Sequence, residues 1–415
     1  MSYSPRDEEP LLRIAVRRAV RRARAQATTP AFGRLLTFQA SGAAGDALLA
    51  VALAGSLFFS VPEAEARGRV ALYLALTVAP FAVVAPFLAR VLDRHRGSLR
   101  LAMVTSALGR GLLAWLLATR LESGLLLFPL AFGVLIFSRA ALVVRGALLP
   151  NLLADHSALV QANSALSKVS ALAGIAAVLP GIVLARWVST RLELLVAAVV
   201  YALGAIPAIR TPRAKGQRSR HERIGARREL RSMAMRQAVV AATGLRFLVG
   251  FLVFHLAFAL RREDSGSLNL GLLIGSAALG TLAGAVLAPR LKRGLREEGI
   301  LVLATFVCGV TGLLVGLYFS VPTAAVLVFA FGLCSGAAKV AFDSIVQRST
   351  SEASRGWAFA RYESILQLAW VAGGLIPLAI AVPSGPGVVA AGGLATLLAG
   401  ISIAGRRRAR SAALP

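Results

Sequence analysis

The sequence predicts an all-α integral membrane protein of twelve transmembrane helices, arranged as two pseudo-symmetric six-helix bundles. Three observations carry this. Hydrophobic residues make up 57% of the 415 positions and charged residues only 16%, too few charges to solvate a soluble chain of this length. The apolar residues fall in blocks of about 18 to 25, the length that crosses a hydrocarbon core of roughly 30 Å as a helix. Those blocks also stay apolar around the whole helix, unlike the one-sided stripe of a soluble surface helix.

In chain order the first six spans are Leu35–Ser60, Val70–Ala89, Leu101–Ala118, Leu125–Leu149, Asn163–Ala185 and Leu192–Ile209. The second six are Ala238–Leu260, Leu268–Ala288, Ile300–Phe319, Ala324–Ser344, Ala360–Ile380 and Gly387–Ala404. Pro and Gly inside several spans are compatible with helix, because neighbouring helices satisfy the freed backbone groups. The two bundles are residues 35–209 and 238–404, joined by a basic linker at 210–237. A basic segment at 1–34 precedes them and a basic tail at 405–415 follows.

The first segment has no apolar core and no cleavage site, so it does not read as a signal peptide. Between Pro10 and Pro30, Leu11, Leu12, Ile14 and Val16 interleave with Arg13, Arg17, Arg18, Arg21, Arg22 and Arg24. This suits an amphipathic helix on an anionic leaflet, or a disordered basic tail. The loops at Arg90–Arg100 and Arg290–Arg296 and the tail at Arg406–Arg410 are basic too. They alternate with Val61–Arg69 and Ser320–Thr323, which carry little net charge. Positive charge marks the cytoplasmic side, so both termini are expected there.

The net charge of +27 does not point to nucleic acid, because it lies in short segments between apolar blocks, where charge sets topology. Cys308 and Cys334 have no metal-ligand spacing and read as packing thiols. No nucleophile–base pair or metal cluster stands out, so neither catalysis nor a cofactor is expected. No phosphate-binding loop of the G-x-x-x-x-G-K-[ST] type is present, so ATP-driven transport would need another subunit.

An internal repeat supports the two-bundle division. Phe87–Arg94 aligns with Val286–Arg293 at a shift of about 199 residues, and the same shift pairs Gly45 with Gly244. It also pairs Ala173-Gly174 with Ala372-Gly373, each followed by a proline, Pro180 and Pro377. Several matches at one offset mark a duplicated transporter.

With these features the chain resembles the major facilitator superfamily over essentially its whole length. The family's loop between spans 2 and 3 reads G-x-x-x-D-R-x-G-R-R. Here the stretch from Ala89 to Arg100 keeps the Asp93-Arg94 pair, with Ala89 in place of Gly and Gly97 one residue late. The resemblance implies a charge-relay latch in this loop, with Asp93, Arg94, Gly97 and Arg100 as cytoplasmic gate residues; Asp343 and Glu363 are grouped with that gate from their positions toward the cytoplasmic ends of spans 10 and 11. Lys292 stands where the second copy would carry its acid, so only the first copy could form this latch. Ser41 to Asp46, Pro150-Asn151-Leu152 followed by Ala162-Asn163, and Gln347 with Arg355-Gly356 are similar to motifs of exporters related to enterobactin and macrolide efflux proteins. The first has one extra residue before Gly45-Asp46. The Gly and Pro residues of spans 5 and 11 resemble the family's antiporter stretch, with the order around Pro180-Gly181 reversed.

A charge at hydrocarbon depth costs about 2.5–3.5 kcal/mol on insertion scales and is a functional candidate by default. Asp46, about eleven residues into span 1, is the candidate proton carrier; a structural aspartate paired with an arginine is the alternative. Arg246 in span 7 could face it across the pathway, and Arg139 and Arg110 are also deep, as cavity groups that tune Asp46 or as interhelical hydrogen-bond donors. Asp343 lies four residues after Lys339 and can pair with it along one helix face. Arg361 and Glu363 are expected at the start of span 11, as gate or anchor. His255 reads as a packing residue or a proton sensor.

These residues, with the resemblance, imply a secondary active transporter that exports a small amphiphilic solute (a metabolite, siderophore or drug) by proton-coupled alternating access. An importer or lipid-linked solute flippase of the same fold, or a non-transporting receptor or scaffold, are the alternatives. The expected partners are the solute, protons and membrane lipids, with no nucleic acid, acting on a monomer. Arg in excess of Lys and abundant Ala point to a GC-rich bacterium, hence to its plasma membrane.

Overall fold

The computed structural model describes residues 30–57, 98–120, 124–153, 156–212, 233–262, 267–350, 352–380 and 382–411. The segment before Pro30, the second predicted span with Asp93, Arg94 and Gly97, and most of the basic linker lie outside the described residues.

The described chain is helical. In the first half α1 is Pro30–Leu57, α2 Ser98–Thr119, α3 Gly124–Leu148, α4 Leu159–Trp187, α5 Thr190–Leu203 and α6 Ala205–Arg210. In the second half α7 is Met233–Arg262, α8 Ser267–Leu291, α9 Glu297–Leu317, α10 Val321–Arg348, α11 Glu352–Ala379 and α12 Ser384–Ser411. Ten of the described helical segments are long and apolar enough to cross a membrane, with α6 continuing α5 beyond Gly204. Local chemistry sets several ends. Ser320 and Thr323 form a reciprocal capping box at the start of α10, and the Ser189 hydroxyl accepts from the Leu192 amide at the start of α5, each satisfying an orphan helical N–H.

α11 departs from expectation. It begins at Glu352, eight residues before the predicted span, because Glu352, Arg355, Arg361 and Glu363 hide its first half from a hydropathy reading. Glu363 is therefore well inside the helix, not at its start. Arg361 is exposed and stacks on Trp357, its guanidinium carbon 5.3 Å from the ring centroid.

The internal repeat is visible in the packing. α1 packs on α4 and α5, as α7 packs on α11 and α12; α2 packs on α3 and α5, as α9 packs on α10 and α12. The paired glycines explain part of this. A Cβ on Gly45 would lie 2.6 Å from Tyr201 Cε1 of α5, and one on Gly244 would collide with Leu398 of α12. Only glycine lets each helix approach so closely, and Gly45 and Gly244 do this at equivalent points of the two halves.

Among the described helices, the halves meet through α3 and α4 of the first against α8, α10 and α11 of the second. The residues that touch, described below, all lie toward the face where α1 begins and α6 ends, a face marked by the Arg34 guanidinium donating to the Arg210 carbonyl. Among the described helices, the two halves therefore touch toward that face.

Candidate functional site

The first polar cluster is built within the first half around Asp46 of α1. Tyr201 of α5 donates its hydroxyl to Asp46 Oδ1 at 2.7 Å, and Ser138 of α3 donates to the same oxygen at 2.9 Å. Arg110 of α2 lies 3.7 Å from it. All three contacts converge on Oδ1, leaving Oδ2 without a hydrogen bond among the described residues. The Asp46 side chain is 48% exposed whereas Arg110 is 3% exposed. The guanidinium is held by its Nε donating to the Ser106 carbonyl at 3.1 Å and by the Tyr201 ring, 4.8 Å from its central carbon, a cation–π contact. A fixed arginine thus faces a carboxylate anchored through one oxygen only.

Here the geometry corrects the expected pairing. Asp46 pairs with Arg110, not Arg246, since α2 and α5 pack beside α1 inside one half, whereas α7 belongs to the other. Arg246 instead lies within electrostatic reach of Glu363 and Arg139.

The second cluster lies between the halves. Lys339 of α10 donates to Asp343 Oδ1 at 2.7 Å, the pair expected from their i,i+4 spacing, and also ion-pairs with Glu363 of α11. Arg145 of α3 reaches Asp343 Oδ2 across the interface at 3.7 Å. Arg246 and Arg139 bear on Glu363 from α7 and α3. Asp343 is buried, and its partners come from both bundles.

Beside this cluster runs an uncharged latch. Asn163 of α4 donates to Gln347 Oε1 of α10 at 2.5 Å and to Ser344 Oγ at 3.2 Å. Gln347 in turn donates to the Gly146 carbonyl of α3 at 3.2 Å, and Ser164 of α4 to the Ala285 carbonyl of α8 at 2.6 Å. Arg355 of α11 donates to Asn151 Oδ1 at 3.0 Å. Asn163, Ser164 and Gln347 are buried, where a polar group is costly unless paired. Residues from the Pro150-Asn151-Leu152, Ala162-Asn163 and Gln347–Arg355 motifs, far apart in sequence, therefore touch one another across the seam between the halves.

Lys292 is paired at the α8–α9 turn. Lys292 lies 2.7 Å from Glu297 at the start of α9, and Glu297 accepts from Arg348 at the end of α10 at 2.8 Å.

Among the remaining expected residues, Arg100 is half-buried in the first turn of α2. His255 is buried, within hydrogen-bond distance of the Ser384 carbonyl at 3.0 Å and stacked on Phe251, a packing environment. Cys308 and Cys334 are buried free thiols. The described residues hold no group of three or more His, Cys, Asp or Glu placed to bind a metal. Tyr201 and Ser138 were not legible as site residues, because a lone Tyr or Ser in an apolar span carries no pattern; Arg145, a charge inside a predicted span, could have been singled out by its depth and was not, and Glu297 falls just before a predicted span. Glu193, fully buried at the start of α5 with neither carboxylate oxygen hydrogen-bonded among the described residues, was missed although an acid inside a predicted span was itself the signal.

Two bundles of equivalent helices, with charged and polar groups gathered inside one bundle and along the seam, define a two-domain membrane transporter fold. The family model "Major Facilitator Superfamily" matches residues 31–374, and the chain belongs to that superfamily. An uncharacterized protein of Mycobacterium leprae is 31% identical over 371 residues, covering 80% of this chain and 64% of the relative. One of Mycobacterium tuberculosis is 31% identical over 372 residues, covering 80% of this chain and 66% of the relative. The chain thus spans just under two thirds of these relatives' length. Among solved structures, the human organic anion transporter MFSD10 superposes with a TM-score of 0.68 at 16% identity, covering 91% of this chain and 98% of its own. A bacterial homologue of the iron transporter ferroportin, in an outward-facing state, gives 0.66 at 18% identity, covering 89% and 98%. FucP in the outward conformation gives 0.65 at 12% identity, covering 91% and 99%. At these identities the likeness is one of fold.

Proposed function

We propose that this chain exports a small amphiphilic organic solute across the bacterial plasma membrane by alternating access, in exchange for protons carried by Asp46. Basic loops on the side of the chain ends support a cytoplasmic location for that side. The latch then closes the cytoplasmic face, and the described state faces outward, as do two of the structural neighbours.

The observation that carries the coupling is the Asp46 carboxylate. It is half-exposed, anchored through one oxygen only, and opposed by a fixed arginine. A proton arriving on Oδ2 removes the attraction to Arg110 while the Tyr201 and Ser138 hydroxyls remain on Oδ1. Protonation can thereby change how α1 is held against α2, α3 and α5, and a ligand that binds two states unequally shifts their populations.

The test is solute movement in inverted membrane vesicles carrying the wild type or Asp46→Asn, with a panel of fluorescent amphiphiles and an imposed proton gradient. Gradient-driven uptake by the wild type, lost in the variant or with a protonophore, is the expected result. Gradient-driven uptake that persists in Asp46→Asn would remove Asp46 from the coupling step. A panel that never moves would favour a narrower solute, import, or a receptor-like use of the fold.

A further inference from the structure

We infer that the charged cluster between the halves is a binding site for an organic anion, with Arg246 as its receiving group. This rests on the transporter reading above and names the chemical class of its solute.

The inference comes from a charge count. Four cations meet there: Arg139 and Arg145 on α3, Arg246 on α7 and Lys339 on α10. They face two carboxylates, Asp343 on α10 and Glu363 on α11. The ion pairs run as one chain from Arg145 to Asp343 to Lys339 to Glu363, and Glu363 also feels Arg246 and Arg139. Among the described residues the cations of this cluster outnumber its carboxylates by two, at a depth where unbalanced charge is expensive.

Of the other acids whose side chains are described, none supplies the balance. Asp46 is engaged by Arg110, and Glu193 lies at the start of α5, the end remote from the latch. Glu297 and Glu298 serve Lys292, Arg296 and Arg348 at the α8–α9 turn.

Arg246 is where the excess is available. It sits near the middle of α7 and is half-buried. It has no hydrogen bond and no ion pair within 4 Å among the described residues. A guanidinium presents a planar fork that matches a carboxylate or phosphate in two parallel hydrogen bonds, and burial strengthens such a bond. An anion on Arg246 would fill a charge deficit shared by both halves. The site can therefore bind solute and bias the seam in one event.

The experiment uses the purified full chain in detergent, with fluorescein and the cationic dye rhodamine 123 as probes of related ring system and opposite charge. Thermal stabilisation is read as a function of dye concentration for the wild type, Arg246→Gln and Arg246→Lys, each checked for monodispersity. Fluorescein is expected to stabilise the wild type and rhodamine 123 not. Arg246→Gln should weaken the fluorescein midpoint by at least about tenfold, and Arg246→Lys, which keeps the charge without the planar fork, should restore only part of it. Stabilisation by rhodamine 123 alone, by both dyes equally, by neither, or unchanged fluorescein binding in Arg246→Gln would overturn the anion assignment. Gradient-driven flux of rhodamine 123 in proteoliposomes would then show transport standing without it. Fluorescein binding through Arg246 with no flux under any gradient would keep the site and sink the transport reading.

Discussion

Replacing Gln347 by Ala should open the closed face. In the described state Gln347 is fully buried; it accepts from Asn163 of α4 at 2.5 Å and donates to the Gly146 carbonyl of α3 at 3.2 Å. Truncation removes both bonds and strands two buried groups on the opposite half. Each stranded group costs about 1–3 kcal/mol. Asn163 keeps Ser344 as a second acceptor at 3.2 Å, which lowers its share, so the combined penalty is about 2–4 kcal/mol. When the face opens, the same groups meet water, and the penalty vanishes. The whole cost therefore falls on the closed state, a shift of about 30-fold to several hundredfold in the open-to-closed ratio. The assay is the distance distribution between spin labels at positions 210 and 293, exposed sites on the closed face of the two halves, in nanodiscs. A population with lengthened separation should dominate in Gln347→Ala and be minor in the parent. An unchanged distribution would mean that the amide latch does not hold the face shut.

Further outcomes follow from the same geometry. Tyr201→Phe keeps the ring over Arg110 but removes the 2.7 Å hydroxyl contact to Asp46; coupled flux should fall by about tenfold, the worth of one charge-assisted hydrogen bond, whereas Asp46→Asn should abolish it. Gly45→Ala would place a methyl 2.6 Å from the Tyr201 ring and should destabilise by about 1–3 kcal/mol in thermal unfolding. Gly33→Ala, with nothing within 4 Å of the added carbon, should leave the midpoint unchanged or raise it slightly, so equal losses would refute the packing account. Glu297→Gln weakens the link from Lys292 to Arg348 and should lower stability by about 1–3 kcal/mol. Lys292→Asp in the otherwise unchanged chain should also destabilise, because Glu297 loses a cation and faces a like charge.

Some of this was readable before any coordinates. Element number and type follow from composition and block length, since a bilayer admits little besides apolar helices of one length. The duplication was legible too: Gly45 and Gly244 occupy matching points, and the fold packs each against the matching helix of its own half. Asp46 stood out because acids are rare at depth. Lys339 and Asp343 could be paired because their spacing along one helix is a local matter.

The partners across the fold were decided only by tertiary structure. Asp46 belongs to Arg110, Tyr201 and Ser138 through helix packing that puts α2, α3 and α5 around α1, and periodicity alone carries no information on which neighbours meet. The first half of α11 was hidden partly because Arg355 and Glu363, which are held inside the protein by Asn151 and Lys339, look in a linear reading like charges bound for water. The short motifs at Asn151, Asn163, Gln347 and Arg355 were visible as residues, but their purpose was not. Their hydrogen bonds join positions some two hundred residues apart, and only the docking of one bundle on the other brings each donor to its acceptor.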